Sequence, residues 1–365
     1  MKLGTFMMPL HPHSRAPWET MAEDREAVLL AERLGFCEAF VGEHVSDLAE
    51  NIPSSLMFLA SLASATSRIV LGSGTLNLAN AHPANVAAQA AMLDHLLQGR
   101  FIMGISPGGL LSDAEIFGNL GKDRNAIFLE CINTVLALWA GNGPYAIEGT
   151  HFSVSTQKTT IPEIGQGSVI RPYQQPHPPI VVTAVAPHSK GVAEAAKRGW
   201  QPISANFLLP EWVASHWPRY VEGRLAVGAR ATPAEWRVAK SIFVADDERT
   251  AQDYGLGAAG PHHLYFRHLV RKLVGLGGRA NLFKSDPGEP DARITPDYVT
   301  GKLVIAGTVN SVVDQLLAFR EKTGSFGTLL YACHDWADPA LAKRSMQLMA
   351  EEVMPRVNAA LGESA

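Results

Sequence analysis

Residues 68–108 read RIVLGSGTLNLANAHPANVAAQAAMLDHLLQGRFIMGISPG. Arg68–Gly72 and Phe101–Ile105 are short runs rich in β-branched and aromatic residues, which predict strands. Between them, Asn85–Leu97 has apolar residues at helical spacing and ends before Gly99, which predicts a helix. A strand, a helix and a second strand in this order indicate a parallel β–α–β unit.

The same alternation extends along most of the chain. Helix patterns occupy Glu19–Leu34, Ser55–Ala65, Asn85–Leu97, Asn125–Trp139 and Val192–Lys197. Eight strands are predicted, at Lys2–Met8, Cys37–Gly42, Arg68–Gly72, Phe101–Ile105, Ile180–Thr183, Trp200–Ser204, Val238–Ala245 and Thr328–Cys333. Eight such units favour an α/β fold of the (β/α)8 TIM-barrel type over an open doubly wound sheet. We predict one barrel domain over residues 1–365, with Gly- and Pro-rich insertions near 141–179 and 275–300.

Composition excludes several classes of protein. Of 365 residues, 47% are hydrophobic and 18% are charged, and the net charge is −4. The chain therefore has enough apolar residues for a large core and lacks the basic surface of a nucleic-acid binder. The apolar run Leu56–Ala65 is too short to span a membrane, and Lys2–Met8 is a strand rather than a signal peptide. The three cysteines are odd in number and widely spaced, so we expect reduced thiols and a cytoplasmic location. Because no apolar run is long enough to span a bilayer, we also expect no membrane partner.

Active sites of such barrels lie at the carboxyl ends of the strands. Polar or small residues follow seven of the eight predicted strands, and the candidate site residues come from these positions. They are His11, His44, Gly74, Thr75, Asn77, Ser106, His188, Ser189, Lys190, Gly191, Asn206, Asp335 and Trp336.

A metal site is one alternative. His11, His13 and Asp335 match part of the pattern of amidohydrolase barrels. A catalytic zinc needs about three protein ligands, and the fifth and sixth strands offer no histidine at their ends. We therefore predict no metal, and His11 can equally be a polar loop residue.

The sequence PHSKG at 187–191 precedes a predicted helix. A helix N-terminus with a serine, a lysine and a glycine can bind phosphate, although Ser189 could equally be an ordinary N-cap. Arg124, at the start of another helix, could add a bidentate phosphate contact. The small residues around Gly74 would let a flat ligand approach the backbone, or they are simply packing positions. No G-x-G-x-x-G fingerprint opens a helix here, so we do not expect a nicotinamide dinucleotide site of that type.

Several motifs together resemble the bacterial luciferase-like flavin monooxygenases. They are GEHVSD (42–47), RIVLGSGTLNLANAHP (68–83), LDHLLQGRFIMGISPG (93–108) and KTGSFGTLLYACHDWAD (322–338). ENIP (50–53), RPYQQPHPPI (171–180) and HDWAD are similar to the branch that contains limonene and diketocamphane monooxygenases. The resemblance extends over nearly the whole chain.

The resemblance implies an FMN-dependent enzyme with two protein components. A separate flavin reductase would supply FMNH2, which would react with O2 to form a C4a-(hydro)peroxide. One oxygen atom would then enter a small hydrophobic substrate, such as a cyclic terpenoid or ketone. The resemblance also implies a homodimer. A deazaflavin-dependent oxidoreductase and a non-catalytic luciferase-like subunit are the alternatives.

Site roles are carried over by position. His44 matches the active-site histidine, where a neutral imidazole could exchange a proton. Ser106 stands where luciferase has a reactive cysteine, and its hydroxyl could still bond the flavin oxygen adduct. Gly74–Thr75 matches a cis peptide beside the flavin ring.

The phosphate site departs from the luciferase pattern. Pro107 replaces an arginine, so the phosphate would depend on Arg124 and on the matching loop of His188, Ser189, Lys190 and Gly191. His11, Asn77, Asn206, Asp335 and Trp336 are predicted to line the substrate pocket.

Overall fold

The computed structural model describes residues 1–363. Within that range no helix is both long enough and apolar enough to cross a membrane. The strands are β1 Lys2–Met7, β2 Glu38–Val41, β3 Val70–Ser73, β4 Leu76–Asn77, β5 Phe101–Ser106, β6 Ala146–Glu148, β7 Ser153–Ser155, β8 Ile180–Ala184, β9 Gln201–Ser204, β10 Arg237–Lys240, β11 Ile242–Ala245, β12 Ile305–Thr308 and β13 Thr328–Cys333.

The α-helices alternate with these strands along most of the chain. They are α1 Pro17–Arg33, α2 Ser55–Leu62, α3 Pro83–Leu96, α4 Leu111–Ile116, α5 Arg124–Ala140, α6 Lys190–Lys197, α7 Pro210–Ala214, α8 His216–Ala226, α9 Glu248–Thr250, α10 Pro261–Val270, α11 Pro296–Leu303, α12 Val309–Thr323, α13 Pro339–Leu348 and α14 Met354–Ala360.

The chain groups into two compact units. Residues 40–181 form the central unit, and residues 1–39 form the terminal unit together with the chain from residue 182 onward. In the terminal unit, β1 and β10 each pair in parallel with β13, and β9 pairs in parallel with β10. All six residues of β13 are buried, as expected for a parallel strand that is covered on both faces.

Parallel pairing also organises the central unit. Strand β5 pairs with both β3 and β4. Gly104 allows the close approach of β5 to β3, because a Cβ atom at this position would lie 2.0 Å from the Ser73 carbonyl oxygen. The Ser73 hydroxyl bonds to both the N–H and the carbonyl of Gly104, at 2.9 Å each.

All eight predicted strands are present, but one is wrong as a continuous strand. Val238–Ala245 divides at Ser241. Residues before Ser241 pair with β9 and β13, whereas β11 after it pairs with β12, which the sequence pattern missed. Strand β12 reads IAGT, which is too short and too small for a clear strand signal.

The two insertions hold more structure than long loops. The 141–179 segment contains an antiparallel hairpin of β6 and β7. The 275–300 segment contains two short 3-10 turns, Ala280–Phe283 and Asp291–Arg293, and its last residues already belong to α11. The single-domain organisation over 1–365 stays a prediction.

Candidate active site

His44 follows β2 in the central unit and lies beside Asp113, which α4 provides. Its Nδ1 atom lies 2.9 Å from Asp113 Oδ2. The other oxygen of Asp113 accepts from the backbone N–H groups of Val45 and Ser46 and from the Ser46 hydroxyl. Burial opposes ionisation of Asp113, but the hydrogen bonds from His44 and Ser46 outweigh it and hold the pKa of Asp113 below its ordinary value. Asp113 is therefore a fixed anion beside the imidazole.

The second ring nitrogen of His44 also faces a carboxylate. His44 Nε2 lies 3.1 Å from Glu50 Oε2. Both carboxylates lie within ion-pair distance of the ring, so an imidazolium would be stabilised by two negative charges. The geometry therefore favours a protonated His44, in contrast to the neutral imidazole that the resemblance suggested.

Ser106, at the end of β5, is the centre of a short hydrogen-bond chain. Its Oγ accepts from Thr75 Oγ1 at 2.7 Å and from the Gly108 N–H at 3.2 Å, and it donates to Asn77 Oδ1 at 3.1 Å. These three bonds use the whole capacity of a serine hydroxyl. For Ser106 to donate to a ligand it would have to release Asn77, and to accept from a ligand it would have to release Thr75 or the Gly108 N–H.

The remaining central-unit candidates lie around the same strand ends. The Gly74–Thr75 peptide bond is cis. Arg124 is the first residue of α5 and donates to the Gly108 carbonyl at 3.0 Å. Asn77 and Asp113 line a cavity of about 170 Å³ whose other walls are mainly apolar. That volume is comparable with a 150 Å³ apolar cavity that binds benzene.

In the terminal unit, the 187–191 loop precedes α6 and has the features of an anion cradle. Ser189 occupies the N-cap position, but its side chain makes no capping hydrogen bond. Its hydroxyl therefore does not serve as the ordinary N-cap, and the first N–H groups of a helix have no partner within the helix. His188 has a left-handed backbone with φ 51°, and its N–H donates to Ser215 Oγ at 2.8 Å.

Two further donors lie beside this loop. Trp212 packs edge-on against His188, and its buried indole N–H has no hydrogen-bond partner within the described chain. The half-buried Arg279 donates to the Val185 carbonyl at 3.2 Å, and burial lowers the pKa of its guanidinium. A buried donor without a partner and a partly desolvated cation are both features that an anionic ligand would satisfy.

His11 lies in a buried ionic cluster. Its Nδ1 lies 2.6 Å from Asp335 Oδ1, and its Nε2 lies 3.1 Å from both oxygens of Asp24. Burial alone would lower the pKa of His11, but the hydrogen bonds with Asp24 and Asp335 raise it to about 9. His11 is therefore an imidazolium at neutral pH.

The same cluster fixes the segment after β13. Arg15 donates to Asp335 at 2.6 Å and to Glu23 at 2.8 Å, and Glu23 also accepts from the backbone N–H of Trp336. His11, Glu23 and Asp335 are close enough to hold a metal ion. Arg15 already supplies a positive charge to both acids, however, so the absence of a bound metal stays our prediction.

Asn206 follows β9 and is buried. It donates to Ser241 Oγ at 3.0 Å and accepts from the Tyr265 hydroxyl at 3.1 Å. Ser241 Oγ in turn lies 3.1 Å from His334 Nε2. Asp335 and Trp336 line a small cavity next to His334.

The three cysteines have no features of reactive groups, although Cys333 lines the small cavity beside Asp335 and Trp336. All three are unpaired, and burial raises the pKa of each thiol to about 12. Reactive cysteines have low pKa values, so these thiols are inert.

Several partners of the candidate residues escaped the sequence analysis. Asp113 and Glu50 escaped because neither follows a strand. Arg279 and Trp212 escaped because an insertion and a helix provide them. A search for positively charged residues in the 275–300 insertion could have found Arg279, whereas nothing in the sequence singles out Trp212.

Comparison with known proteins places this chain in a family. Residues 1–325 match the luciferase-like monooxygenase family. The chain is 30% identical to 4-hydroxyprotoasukamycin monooxygenase of Streptomyces nodosus subsp. asukaensis, over 99% of this chain and 93% of that protein. It is also 30% identical to limonene 1,2-monooxygenase of Rhodococcus erythropolis, over 98% and 87% of the two chains.

Solved structures extend the comparison to the fold. The oxygenating constituent of 3,6-diketocamphane monooxygenase from Pseudomonas putida, in complex with FMN, superposes with a TM-score of 0.86, at 24% identity and 98% coverage of both chains. More distant relatives include a Mycobacterium tuberculosis protein named as a coenzyme F420-dependent oxidoreductase, at 27% identity over 80% of this chain and 85% of that protein.

The chain belongs to the luciferase-like monooxygenase family. Two predictions are thereby confirmed, the (β/α)8 barrel fold and the assignment to the enzymes of the flavin-dependent monooxygenase class. The resemblance to the limonene and diketocamphane branch is confirmed as well.

Proposed function

We propose that this protein is the oxygenating component of a two-component FMNH2-dependent monooxygenase. It transfers one oxygen atom from O2 to a small hydrophobic substrate, such as a cyclic terpenoid or ketone. The observation that carries the proposal is His44, held between the carboxylates of Asp113 and Glu50. A non-catalytic subunit would have no use for a buried acid pair that controls the proton of a half-buried imidazole.

The flavin phosphate fits the 187–191 loop. Ser189, the first N–H groups of α6, the indole N–H of Trp212 and the guanidinium of Arg279 supply donors from several directions. Lys190 and Gly191 begin the helix, and Gly191 leaves room for close backbone approach. Arg124 is a weaker candidate, because its guanidinium already binds the Gly108 carbonyl.

When bound, reduced FMN supplies the activation of O2. His44 holds a proton on a ring nitrogen and can donate it to a reacting oxygen, with Asp113 and Glu50 stabilising the charged ring. Ser106 keeps Thr75 and Asn77 in place through its three hydrogen bonds, so we assign it a positioning role. Asn77, His11, Asn206, Asp335 and Trp336 remain our candidates for the substrate pocket.

A deazaflavin is the second candidate cofactor, because relatives named as F420-dependent also match this chain. Anaerobic titration distinguishes the two cofactors. We expect the protein to bind reduced FMN more tightly than reduced F420. With a flavin reductase and O2, it should then convert a cyclic ketone or monoterpene to a product that contains one added oxygen atom.

We also propose a homodimer and a transient encounter with the reductase. Met57 on α2 and Met92 and Leu96 on α3 are large apolar side chains that are 76%, 58% and 47% exposed. Exposed apolar side chains grouped on neighbouring helices favour contact with a second protein surface. Sedimentation of the wild type and of Met57→Glu tests this, because a dimer should dissociate when the charge is introduced. The single barrel domain and the cytoplasmic location, which the unpaired cysteines support, are part of the same proposal.

A further inference from the structure

Two histidines face each other at the carboxyl end of β13 in the terminal unit. His334 follows β13 directly, and His262 is the second residue of α10. Their ring centroids are 4.8 Å apart with an interplanar angle of 74°. Both rings line a cavity of about 20 Å³, together with Phe243, Tyr331 and Trp336. The cavity therefore has room for about one water-sized group.

The hydrogen bonds around Ser241 determine which nitrogen of His334 carries its proton. Ser241 is fully buried, and its Oγ accepts from Asn206 Nδ2 at 3.0 Å. Its own O–H, which needs a buried acceptor, finds one in His334 Nε2 at 3.1 Å when that nitrogen is unprotonated. Nε2 is therefore the unprotonated nitrogen, and the proton of a neutral His334 lies on Nδ1. This Nδ1 is buried and has no hydrogen-bond partner within the described chain.

His262 has spare hydrogen-bonding capacity as well. It is 3% exposed, and its ring has a weak contact with the Ile242 carbonyl but no hydrogen bond of good geometry among residues 1–363. Burial lowers the pKa of His262 to about 4, against a smaller opposing effect of the Ile242 carbonyl. Burial, and then the neighbouring His262, lower the pKa of His334 well below its ordinary value. Both rings are thus neutral, and His334 Nδ1 and at least one nitrogen of His262 lack a good hydrogen bond within the described chain, next to the cavity that both residues line.

The chemistry of the cavity restricts what can pair with these nitrogens. The described side chains that line it include no Lys or Arg, and the carboxylate of Asp335 lies at its edge, so an anion is disfavoured. A hydrocarbon would leave the N–H of His334 unpaired, which is unfavourable in a buried site. A neutral oxygen can accept that hydrogen bond, and a hydroxyl can also donate to a nitrogen of His262.

We propose that His262 and His334 form an oxygen-binding subsite that holds a carbonyl or hydroxyl group of the substrate. This inference rests on the proposed function only in naming the ligand a substrate, because the binding itself needs no flavin. The subsite selects substrates that carry a neutral oxygen over pure hydrocarbons of the same shape. The small volume admits the oxygen atom, while the carbon skeleton lies outside the cavity.

Direct binding of three probes of similar size tests the subsite. Cyclohexanone, cyclohexanol and methylenecyclohexane are titrated into the purified protein without flavin, with binding followed by calorimetry or ligand-detected NMR. We expect the ketone or the alcohol to bind at least about 10-fold more tightly than the alkene, since a buried hydrogen bond is involved. Equal binding of all three probes would overturn the proposal.

Variants separate the subsite from a structural role. His262→Phe keeps the ring volume and removes the nitrogens to which a hydroxyl would donate, but it leaves the N–H of His334. It should therefore weaken the binding of cyclohexanol, which accepts and donates, relative to that of cyclohexanone, which only accepts, while Tm stays equal or rises. The matched control is His268→Phe on the same helix, whose Nδ1 is bonded to the Leu264 carbonyl, and this variant should keep the wild-type ratio of the two affinities. A His262→Phe protein in which the ratio of cyclohexanol to cyclohexanone affinity is unchanged contradicts the subsite.

Histidine ¹⁵N spectra of the unmodified protein provide a test that no substitution can disturb. They should show His334 protonated at Nδ1, and this signal should shift when cyclohexanone is added. Protonation of His334 at Nε2 would contradict the subsite, which needs the N–H at Nδ1. Reduced FMN binding is measured on the same samples, so a protein that binds the ketone but no flavin refutes the proposed function while the subsite stands.

Discussion

The Nδ1 atom of His44 lies 2.9 Å from Oδ2 of Asp113, a residue 69 positions away in the sequence. Helix α4 brings Asp113 to the end of β2, where it also binds the two backbone N–H groups that follow His44. The carboxylate thereby fixes both the ring and the loop that carries it. This pair is the centre of the proposed chemistry.

His44→Ala should abolish most of the turnover without loss of flavin. Removal of a general acid or base lowers rates by about 10²–10⁴-fold. We expect kcat to fall by that factor in a coupled assay with a flavin reductase, while the Kd for reduced FMN stays within about 3-fold of wild type.

The control for this variant is His95→Ala in the same unit, whose ring contacts the Arg171 carbonyl and which should keep full activity. Asp113→Asn adds a second readout. Without the anion the charged imidazole is less favourable, so the alkaline limb of the pH–rate profile should move to lower pH. An unchanged profile would exclude Asp113 as the partner that controls the His44 proton.

Arg279→Ala should weaken binding of the flavin phosphate. A hydrogen bond to a charged group contributes about 1.5–3 kcal/mol, so we expect the Kd for reduced FMN to rise about 10- to 100-fold. Riboflavin, which lacks the phosphate, should bind wild type and variant alike. Arg219→Ala is the control, because Arg219 pairs with Glu222 on the exposed face of α8. An equal loss for FMN and riboflavin would show that Arg279 supports the fold rather than the phosphate.

Ser106→Ala should affect stability more than chemistry. The substitution leaves Thr75, Asn77 and the Gly108 N–H without their shared partner, and each unpaired buried group is unfavourable by about 1–3 kcal/mol. We expect a lower urea midpoint and a decrease in kcat of less than about 10-fold. A loss of activity as large as that of His44→Ala, with unchanged stability, would instead make Ser106 a direct catalytic group.

The His11 cluster should lose stability in alkaline solution. The pKa of His11 is about 9 in the folded protein, above its ordinary value of 6.5. Its contribution is therefore complete below about pH 6.5 and is lost as the pH rises through about 9. We expect Tm to fall by roughly 3–5 °C more in the wild type than in His11→Gln between about pH 7 and pH 10. Parallel curves for the two proteins would show that His11 is not charged in the fold.

The strand pattern could be predicted because local residues determine it. Most of the predicted strands are buried and largely apolar, and β1 and β13 lie within one residue of their expected positions. The break at Ser241 could not be seen, since Ile242–Ala245 continues the same apolar pattern. Its separate pairing with β12 depends on a strand more than 60 residues later in the chain.

The candidate site was predictable only in part. Position after a predicted strand selected His44, Ser106, Asn206 and Asp335 as candidates. Active sites of such barrels lie at the carboxyl ends of the strands, and these ends can be located from sequence order alone. The charges and hydrogen bonds of these residues depend on distant partners such as Asp113. For this reason the roles of His44 and Ser106 stay predictions, although the sequence could not show that Asp113 contacts the ring and that Ser106 is bonded to Asn77.

Anaerobic titration with reduced FMN tests the central claim most directly. The protein should bind reduced FMN more tightly than reduced F420, and admission of O2 with a cyclic ketone or monoterpene should give a product carrying one oxygen atom from ¹⁸O2. A protein that binds reduced F420 in preference to reduced FMN, or that gives no ¹⁸O-labelled product with any such substrate, would contradict the account.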